Sequence, residues 1–289
     1  MKALVLGGNR FFGRRLVAKL LASGADVTLL NRGQHGDPFG SAVRRIQMDR
    51  SKLDPNQEQL RDSSWDIVYD QVCYDADEAE AAVNIFAEKT RRYVFVSSQS
   101  VYGPDAAIEE SAFDPKAHRF AKRVGREVDY SEAKRQAEAV FFGQDRLPVV
   151  AVRLPIVLGE DDYTERLKFH VDRIQSRKPI YFPNLDARIS FIHAEDAANF
   201  LFRLALEKFE GPINCCSPDS IALSELIREI EQYCEERAVY AKDEANGAAS
   251  PFGIEADWFM STKKLDDLGF KTRTIASWLP GLIKFYLGK

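Results

Sequence analysis

Short apolar segments alternate regularly with helical patterns along the first half of this sequence. The apolar segments lack the polar alternation of a half-exposed strand, which is typical of parallel strands buried on both faces. The pattern therefore predicts an α/β protein with a doubly wound parallel sheet. The predicted strands are 2–6, 25–30, 43–47, 66–69, 93–97, 149–154 and 212–216, and the predicted helices include 13–23, 75–89 and 130–142.

A second, smaller region is indicated where this alternation weakens, after about residue 160. Segments 160–186 and 217–289 are richer in charged and aromatic residues than the segments before them. We therefore predict that 1–159 and 187–216 form one domain, and that 160–186 and 217–289 form a discontinuous C-terminal lobe.

Composition excludes several classes of protein. Lysine and arginine number 40 against 44 aspartates and glutamates, so nucleic acid is disfavoured as a general partner. No run of about 18 apolar residues is present, so no membrane partner is expected. The four cysteines show no CxxC spacing and the four histidines are scattered, which predicts no metal site and a cytoplasmic protein with buried thiols.

A glycine-rich loop lies between the first strand and the first helix, and it reads Gly7-Gly8-Asn9-Arg10-Phe11-Phe12-Gly13. Glycines permit a tight turn there, and the N–H groups of the following helix can meet a diphosphate. This Rossmann-like arrangement predicts a dinucleotide site, while a plain strand–helix turn is the alternative. Arg10 replaces the usual middle glycine, so its side chain either crowds the diphosphate or points outward to the adenosine ribose.

The end of the second strand bears on which dinucleotide binds. A carboxylate usually accepts from the ribose 2′-hydroxyl of NAD at this position, but this chain has Asn31-Arg32. Arg10 and Arg32 suit a 2′-phosphate, so NADP is preferred over NAD. After the third strand, Asp49 is a candidate for the adenine amino group and Arg50 for stacking, with an exposed turn as the alternative.

Two further segments carry candidate catalytic residues. Tyr130 and Lys134 are four residues apart in a predicted helix, so their side chains share one face, where an ammonium lowers the pKa of a phenol. Ser98 follows a strand, at the edge of the sheet where ligands of such folds bind, and it could instead be a turn residue or N-cap. A surface Tyr–Lys pair is the plainer interpretation of the helix motif.

The glycine loop, the strand-end serine and the Tyr-x-x-x-Lys helix, in this order, resemble the extended short-chain dehydrogenase/reductase family and its NAD-dependent epimerase/dehydratase group. Segments 153–155, 191–198 and 261–270 add to the resemblance. It implies an NAD(P)-dependent epimerase or reductase that acts on a sugar or nucleotide-sugar by hydride transfer. The C-terminal lobe would bind the substrate, and a homodimer is compatible with this prediction.

The resemblance also implies roles for individual residues. Tyr130 would be the acid/base, Lys134 would tune it and hold the nicotinamide ribose, and Ser98 would orient the reacting oxygen. Pro155 and Ile156 would line the nicotinamide. The offset from Ser98 to Tyr102 likewise matches an active-site hydroxyl of the family.

Departures from the family pattern narrow the range of reactions and substrates expected for this chain. The 4,6-dehydratases share Thr-Asp-Glu where this chain has Ser98-Gln99-Ser100, so no acid is available and dehydration is disfavoured. Galactose-type epimerases place an arginine four residues before the family histidine. That position is Ile189 in this chain, and Arg188, one residue earlier, is the candidate for substrate binding.

The glycine loop and Asn31-Arg32-Gly33 also look like a subgroup related to plastid RNA-binding proteins of this fold. The alternative function is therefore a non-catalytic NAD(P)-binding protein with an RNA-binding or regulatory role. The basic segment 118–126 would serve RNA or a phosphate-bearing substrate, although such a segment is more often a solvated surface. The catalytic triplet at 98, 130 and 134 favours the enzyme.

Overall fold

The computed structural model describes residues 1–54, 56–120 and 128–289. Its strands are β1 (Lys2–Leu6), β2 (Asp26–Asn31), β3 (Arg44–Gln47), β4 (Ile67–Asp70), β5 (Tyr93–Ser98), β6 (Val149–Leu154), β7 (Ile156–Leu158), β8 (Pro179–Ile180), β9 (Arg188–Ile189), β10 (Phe191–His193), β11 (Gly211–Asn214), β12 (Ile221–Ala222) and β13 (Val239–Tyr240). Its α-helices are α1 (Phe11–Ala22), α2 (Glu58–Arg61), α3 (Ala76–Phe86), α4 (Tyr130–Phe142), α5 (Arg166–Gln175), α6 (Ala194–Arg203), α7 (Leu223–Cys234), α8 (Lys263–Asp267) and α9 (Ile275–Tyr286).

The chain divides into two compact units. Unit 1 consists of Met1–Tyr102, Glu110–Leu154 and Ala197–Cys215. Across its described residues, seven strands form one sheet in the order β11-β6-β5-β4-β1-β2-β3, and all their pairings are parallel. The strand order reverses at β1, and in open parallel sheets ligands bind at such a switch point, outside the carboxyl ends of strands that correspond here to β1 and β4. The predicted Rossmann-like α/β fold is confirmed.

Apolar side chains explain why the predicted elements lie within a few residues of their observed bounds. Phe86 of α3 packs on Tyr93 of β5, and Phe141 of α4 packs on Tyr93 and Phe95, with ring centroids 5.0–5.7 Å apart. These rings join the helices to the sheet in one core. Helix α3 ends before the predicted bound of residue 89, because Ala87 is extended and Glu88 has a φ of 64°.

Unit 2 consists of Gly103–Glu109, Pro155–Asp196 and Cys216–Lys289. Its core packs α5, α7 and α9 around side chains such as Leu167, Ile227 and Leu282. Residues 103–109, 155–159, 187–196 and 216, which the sequence assigned to the cofactor domain, fall in unit 2. The physical reason is that β7 pairs with β10, and neither strand joins the seven-stranded sheet. In the described part of the chain, no helix has the length and apolar composition needed to cross a bilayer.

His170 is a fully buried histidine in the core of unit 2. Its ring stacks on Phe252 and Phe182, with centroids 4.5 and 5.7 Å away. Nδ1 lies 2.8 Å from the carbonyl oxygen of Arg166, and Nε2 lies 2.8 Å from the hydroxyl of Ser250. Burial lowers the pKa of His170 to about 4, so the neutral imidazole donates from Nδ1 and accepts at Nε2.

The stability of the protein is expected to fall as the pH drops from about 6.5 to about 4, by up to about 1.4 kcal/mol per pH unit from His170. The unfolded imidazole binds a proton near 6.5 and the folded one only near 4, so the unfolded state binds more protons in this window. Urea unfolding at several pH values measures this slope. His170→Gln, which does not titrate, should show a smaller slope, and equal slopes would contradict the assignment.

Candidate active site

The glycine loop is built on backbone conformations that side chains rarely adopt. Gly7 and Gly8 have φ angles of 94° and 77°, and Gly7 N–H donates to the carbonyl oxygen of Leu30. A Cβ on Gly8 would lie 2.7 Å from Cγ1 of Val5 in β1. The tight turn that the sequence predicted therefore requires glycine at both positions.

The third loop glycine, Gly13, lies against Gln71, at the carboxyl end of β4. A Cβ on Gly13 would clash with Oε1 of Gln71, so glycine permits this close packing of α1. Nε2 of Gln71 is buried and has no hydrogen-bond partner among the described residues. A buried donor beside a loop shaped for close backbone approach fits a bound dinucleotide. Gln71 was not predicted from the sequence, although its position as a polar residue directly after a buried strand was the available signal.

The loop after β2 contacts the glycine loop. Asn9 Nδ2 donates to the carbonyl oxygen of His35 at 3.0 Å, and Arg10 Nη1 lies 3.4 Å from His35 Nε2. The side chain of Asn31 turns back to accept from the N–H of Gly33, so it does not take the place of the usual carboxylate. Arg10 and Arg32 are both exposed.

The turn after β3 places Asp49 and Arg50 differently. Asp49 caps a short 3-10 helix, and its bonds to the N–H and hydroxyl of Ser51 hold its pKa below the usual value. Arg50 is only 6% exposed, and its Nε and Nη2 donate to Asp70 at 2.8 and 2.6 Å. Burial would lower the pKa of Arg50, but Asp70 keeps it well above its usual value. With only this small exposed fraction, Arg50 offers little of its guanidinium face for the stacking on adenine that the sequence suggested.

Ser98 ends β5 and is half-buried. Its Oγ accepts hydrogen bonds from the N–H and the hydroxyl of Ser100, at 3.1 and 3.0 Å. Ser98 therefore acts as a turn residue, which was the alternative considered from the sequence. Because a hydroxyl that accepts can still donate its own proton, Ser98 keeps one donor for a substrate oxygen.

Tyr130 is the first residue of α4, and the cap Asp129, which accepts from the N–H of Glu132, starts the helix at this point. Tyr130 is 50% exposed, whereas Lys134, one turn later, is 2% exposed. The structure thus brings the two residues onto one face, with the Lys134 ammonium 5.8 Å from the Tyr130 ring centroid.

The Lys134 ammonium is held by backbone carbonyl oxygens and by aromatic rings. It donates to the carbonyl oxygens of Cys73 and Val96 at 2.6 and 3.0 Å, and the rings of Tyr74 and Phe95 lie 5.1 and 4.7 Å from it. An ammonium has three N–H donors, and two of them have acceptors among the described residues, so the third suits a ligand hydroxyl.

Tyr102 has a different role from the active-site hydroxyl that the resemblance implied. It is 4% exposed, donates to Asn214 at 2.8 Å and accepts from Arg153 at 2.7 Å. Arg153 is itself fully buried and paired with Glu138 of α4. Burial raises the pKa of Tyr102, so its hydroxyl serves as a neutral link in this network.

The remaining candidates lie in unit 2. Pro155 is buried, Ile156 begins β7, and Arg188 begins β9. The guanidinium of Arg188 donates to the hydroxyl and carbonyl oxygens of Ser220 and lies 3.3 Å from Glu225. Among the described residues, no group of three or more histidine, cysteine, aspartate or glutamate side chains could hold a metal ion. Residues 121–126 of the basic segment lie outside the described residues.

The sequence of the chain matches a known protein family. The model of the NAD dependent epimerase/dehydratase family matches residues 3–216. The chain belongs to the NAD-dependent epimerase/dehydratase family. Its glycine loop and the residues at 98, 130 and 134 all lie within the matched range, as the sequence resemblance predicted.

Solved structures of this fold match the whole chain. UDP-glucose 4-epimerase from Thermus thermophilus, in complex with NAD, has a TM-score of 0.75 at 18% identity, covering 100% of this chain and 99% of that one. UDP-glucose 4-epimerase from Thermotoga maritima, with UDP-glucose, has a TM-score of 0.74 at 17% identity, with the same coverage. At such identities the likeness shows the fold alone.

A curated relative is the chloroplast stem-loop binding protein of 41 kDa b from Arabidopsis thaliana. It is 28% identical over 225 residues, which are 72% of this chain. The chain spans 56% of the length of that relative. The resemblance to the plastid subgroup seen in the glycine loop is thus supported over a longer stretch of sequence.

Proposed function

We propose that this protein is an NAD(P)-dependent epimerase or reductase that acts on a sugar or nucleotide-sugar by hydride transfer, with Tyr130 as the acid/base. The observation that carries the proposal is the pairing of the half-exposed Tyr130 with the buried ammonium of Lys134 on one turn of α4. The family match and the solved structures that contain NAD or UDP-glucose support it.

Each residue has a part in this reaction. The nicotinamide of a bound cofactor supplies the hydride acceptor and donor. Tyr130 holds the proton that moves to or from the sugar oxygen, and the Lys134 ammonium stabilises negative charge on the phenol oxygen. The remaining N–H of Lys134 binds a hydroxyl of the nicotinamide ribose, and Ser98 donates to the reacting oxygen.

Elimination of water is not part of the proposal. Gln99 and Ser100 follow Ser98 in the short helix after β5, both are buried, and neither is an acid. We assign substrate binding to unit 2, where Arg188 is the candidate contact, and lining of the nicotinamide to Pro155 and Ile156.

A turnover assay tests the proposal. The purified protein is incubated with NAD or NADP and, in turn, UDP-glucose, UDP-glucuronic acid and other nucleotide-sugars. Formation of an epimer is followed by NMR, and net reduction of the cofactor is followed by absorbance at about 340 nm. Conversion of at least one sugar is expected. Cofactor binding without conversion across the panel would contradict hydride transfer.

An RNA-binding role is the second candidate, and the stem-loop binding relative is the observation that favours it. Filter binding of a stem-loop RNA at several salt concentrations tests this role. Tight binding with a steep salt dependence, together with absence of turnover, would favour it, because phosphate contacts release counterions. Weak binding with little salt dependence would exclude it.

The proposed cofactor is NADP, because Arg10 and Arg32 are exposed and no carboxylate ends β2. Arg10→Ala and Arg32→Ala are each expected to weaken NADPH binding about tenfold and NADH binding less than twofold, since only NADPH carries the 2′-phosphate. Fluorescence titration measures both affinities. Arg91, whose side chain is 88% exposed in the turn before β5, provides the control Arg91→Ala. Tighter binding of NADH by the unmodified protein would reverse the cofactor preference.

A further inference from the structure

Tyr74 lies in the turn between β4 and α3, and hydrogen bonds hold this turn at successive residues. The N–H of Val72 donates to Asp70 Oδ1 at 3.1 Å, and the carbonyl oxygen of Cys73 accepts from Lys134 at 2.6 Å. The N–H of Tyr74 itself donates to Glu78 Oε2 at 2.7 Å. The backbone that carries the Tyr74 ring is therefore well supported.

The ring of Tyr74 is 51% exposed although its backbone is so firmly held. Its centroid lies 6.4 Å from that of Tyr130 at an interplanar angle of 56°, and 5.1 Å from the Lys134 ammonium. The two tyrosine rings thus form an aromatic corner, defined by Tyr74 and Tyr130, beside the ammonium that both rings face. A rigid tyrosine ring offers a large amphipathic contact surface at a low cost in conformational entropy.

We propose that Tyr74 is a positioning residue whose ring receives the C–H face of a polyhydroxylated ring, so that a hydroxyl of that ring is directed to Tyr130 and Lys134. This inference rests on the proposed function. Two ligands carry a polyhydroxylated ring of this chemistry: the cofactor, through its ribose, and the substrate, through its sugar. Aromatic walls with a few convergent polar groups are typical of sites for small ligands.

Binding measurements test the proposal with NADPH as one probe and, on NADPH-loaded protein, UDP-glucose as the other. Tyr74→Ala is expected to weaken the binding of one probe about three- to tenfold, the range of an aromatic contact. Tyr74→Phe keeps the ring and should stay within twofold of the unmodified protein. Loss of NADPH affinity identifies the ribose as the partner, and loss of UDP-glucose affinity alone identifies the substrate sugar.

Tyr240, which is 49% exposed on β13, provides the matched control Tyr240→Ala, and thermal unfolding verifies that each variant folds. Unchanged affinity of Tyr74→Ala for both probes, or an equal loss in Tyr74→Phe, overturns the proposal. Because these are binding measurements, they are distinct from the turnover assay. A protein that binds through Tyr74 and converts no sugar contradicts hydride transfer and leaves the role of Tyr74 intact.

Discussion

Replacing Glu138 with alanine is expected to lower the free energy of unfolding by about 3–5 kcal/mol, because it leaves the Arg153 guanidinium buried without its counter-ion. Both side chains are fully buried. Nε and Nη2 of Arg153 donate to the two carboxylate oxygens at 3.0 and 2.6 Å, and Ser97 donates to the same carboxylate at 2.6 Å. Burial by itself would lower the pKa of Arg153, but Glu138 raises it, so the arginine stays charged.

The other donors of Arg153 are also engaged, with the Tyr102 hydroxyl and with the carbonyl oxygens of Glu110 and Phe113, at 2.7–3.1 Å. All five N–H groups of the guanidinium therefore have acceptors. Since Glu138 lies on α4 and Arg153 on β6, the pair sets the position of α4 against the sheet. This is the helix that carries Tyr130 and Lys134.

Urea unfolding measures the loss of stability. Replacing both partners with apolar residues, as in Glu138→Leu with Arg153→Met, should recover much of it, because no buried charge then remains. The exposed pair Arg61–Asp62 is the control, and its removal should change the stability much less than Glu138→Ala does, because water screens an exposed pair. A loss below about 1 kcal/mol in Glu138→Ala would show that the buried pair does not hold α4 in place.

Tyr130→Phe is expected to reduce hydride transfer about 10²- to 10⁴-fold, the usual contribution of a positioned acid or base. The substitution removes only the hydroxyl of a half-exposed ring, so stability and NADPH affinity should stay nearly unchanged. The measurement is kcat and KM on the sugar that the turnover assay identifies, together with NADPH titration. The fall should therefore appear in kcat, because the phenol proton is needed in the chemical step.

Tyr240→Phe is the matched control, since Tyr240 is exposed to a similar extent on a strand of unit 2. It should retain full turnover. A Tyr130→Phe variant that keeps turnover within threefold would exclude Tyr130 as the acid/base and direct attention to the other exposed phenol of the aromatic corner, Tyr74.

Much of the fold of unit 1 could be predicted because its signals are local. The apolar runs predicted β1 and β6 with their correct bounds and the other predicted strands of the sheet with bounds within two residues. Helix α4 was also predicted with its correct bounds, since an apolar face recurs every three or four residues along it. The glycine loop was equally readable, because a left-handed backbone at Gly7 and Gly8 strongly favours that residue type.

The candidate site was predictable in part. Spacing alone placed Tyr130 and Lys134 on one helix face and Ser98 at a strand end. Spacing did not reveal that Lys134 is buried against the carbonyl oxygens of Cys73 and Val96. It also did not reveal that the Tyr74 ring lies beside the Lys134 ammonium. These contacts join residues tens of positions apart, so no local periodicity reports them.

The parallel α/β sheet, the glycine loop and the shared face of Tyr130 and Lys134 could all be predicted from local sequence, because each follows from backbone preferences or from helical spacing. Which charged residues pair with each other depends on the folded arrangement. The sequence contains many arginines and carboxylates. The packing of α4 on the sheet brings Glu138 to Arg153 of β6, and the folding of the turn after β3 brings Arg50 to Asp70 at the end of β4. Burial then makes these pairs obligatory, since a charge removed from water needs an opposite charge beside it.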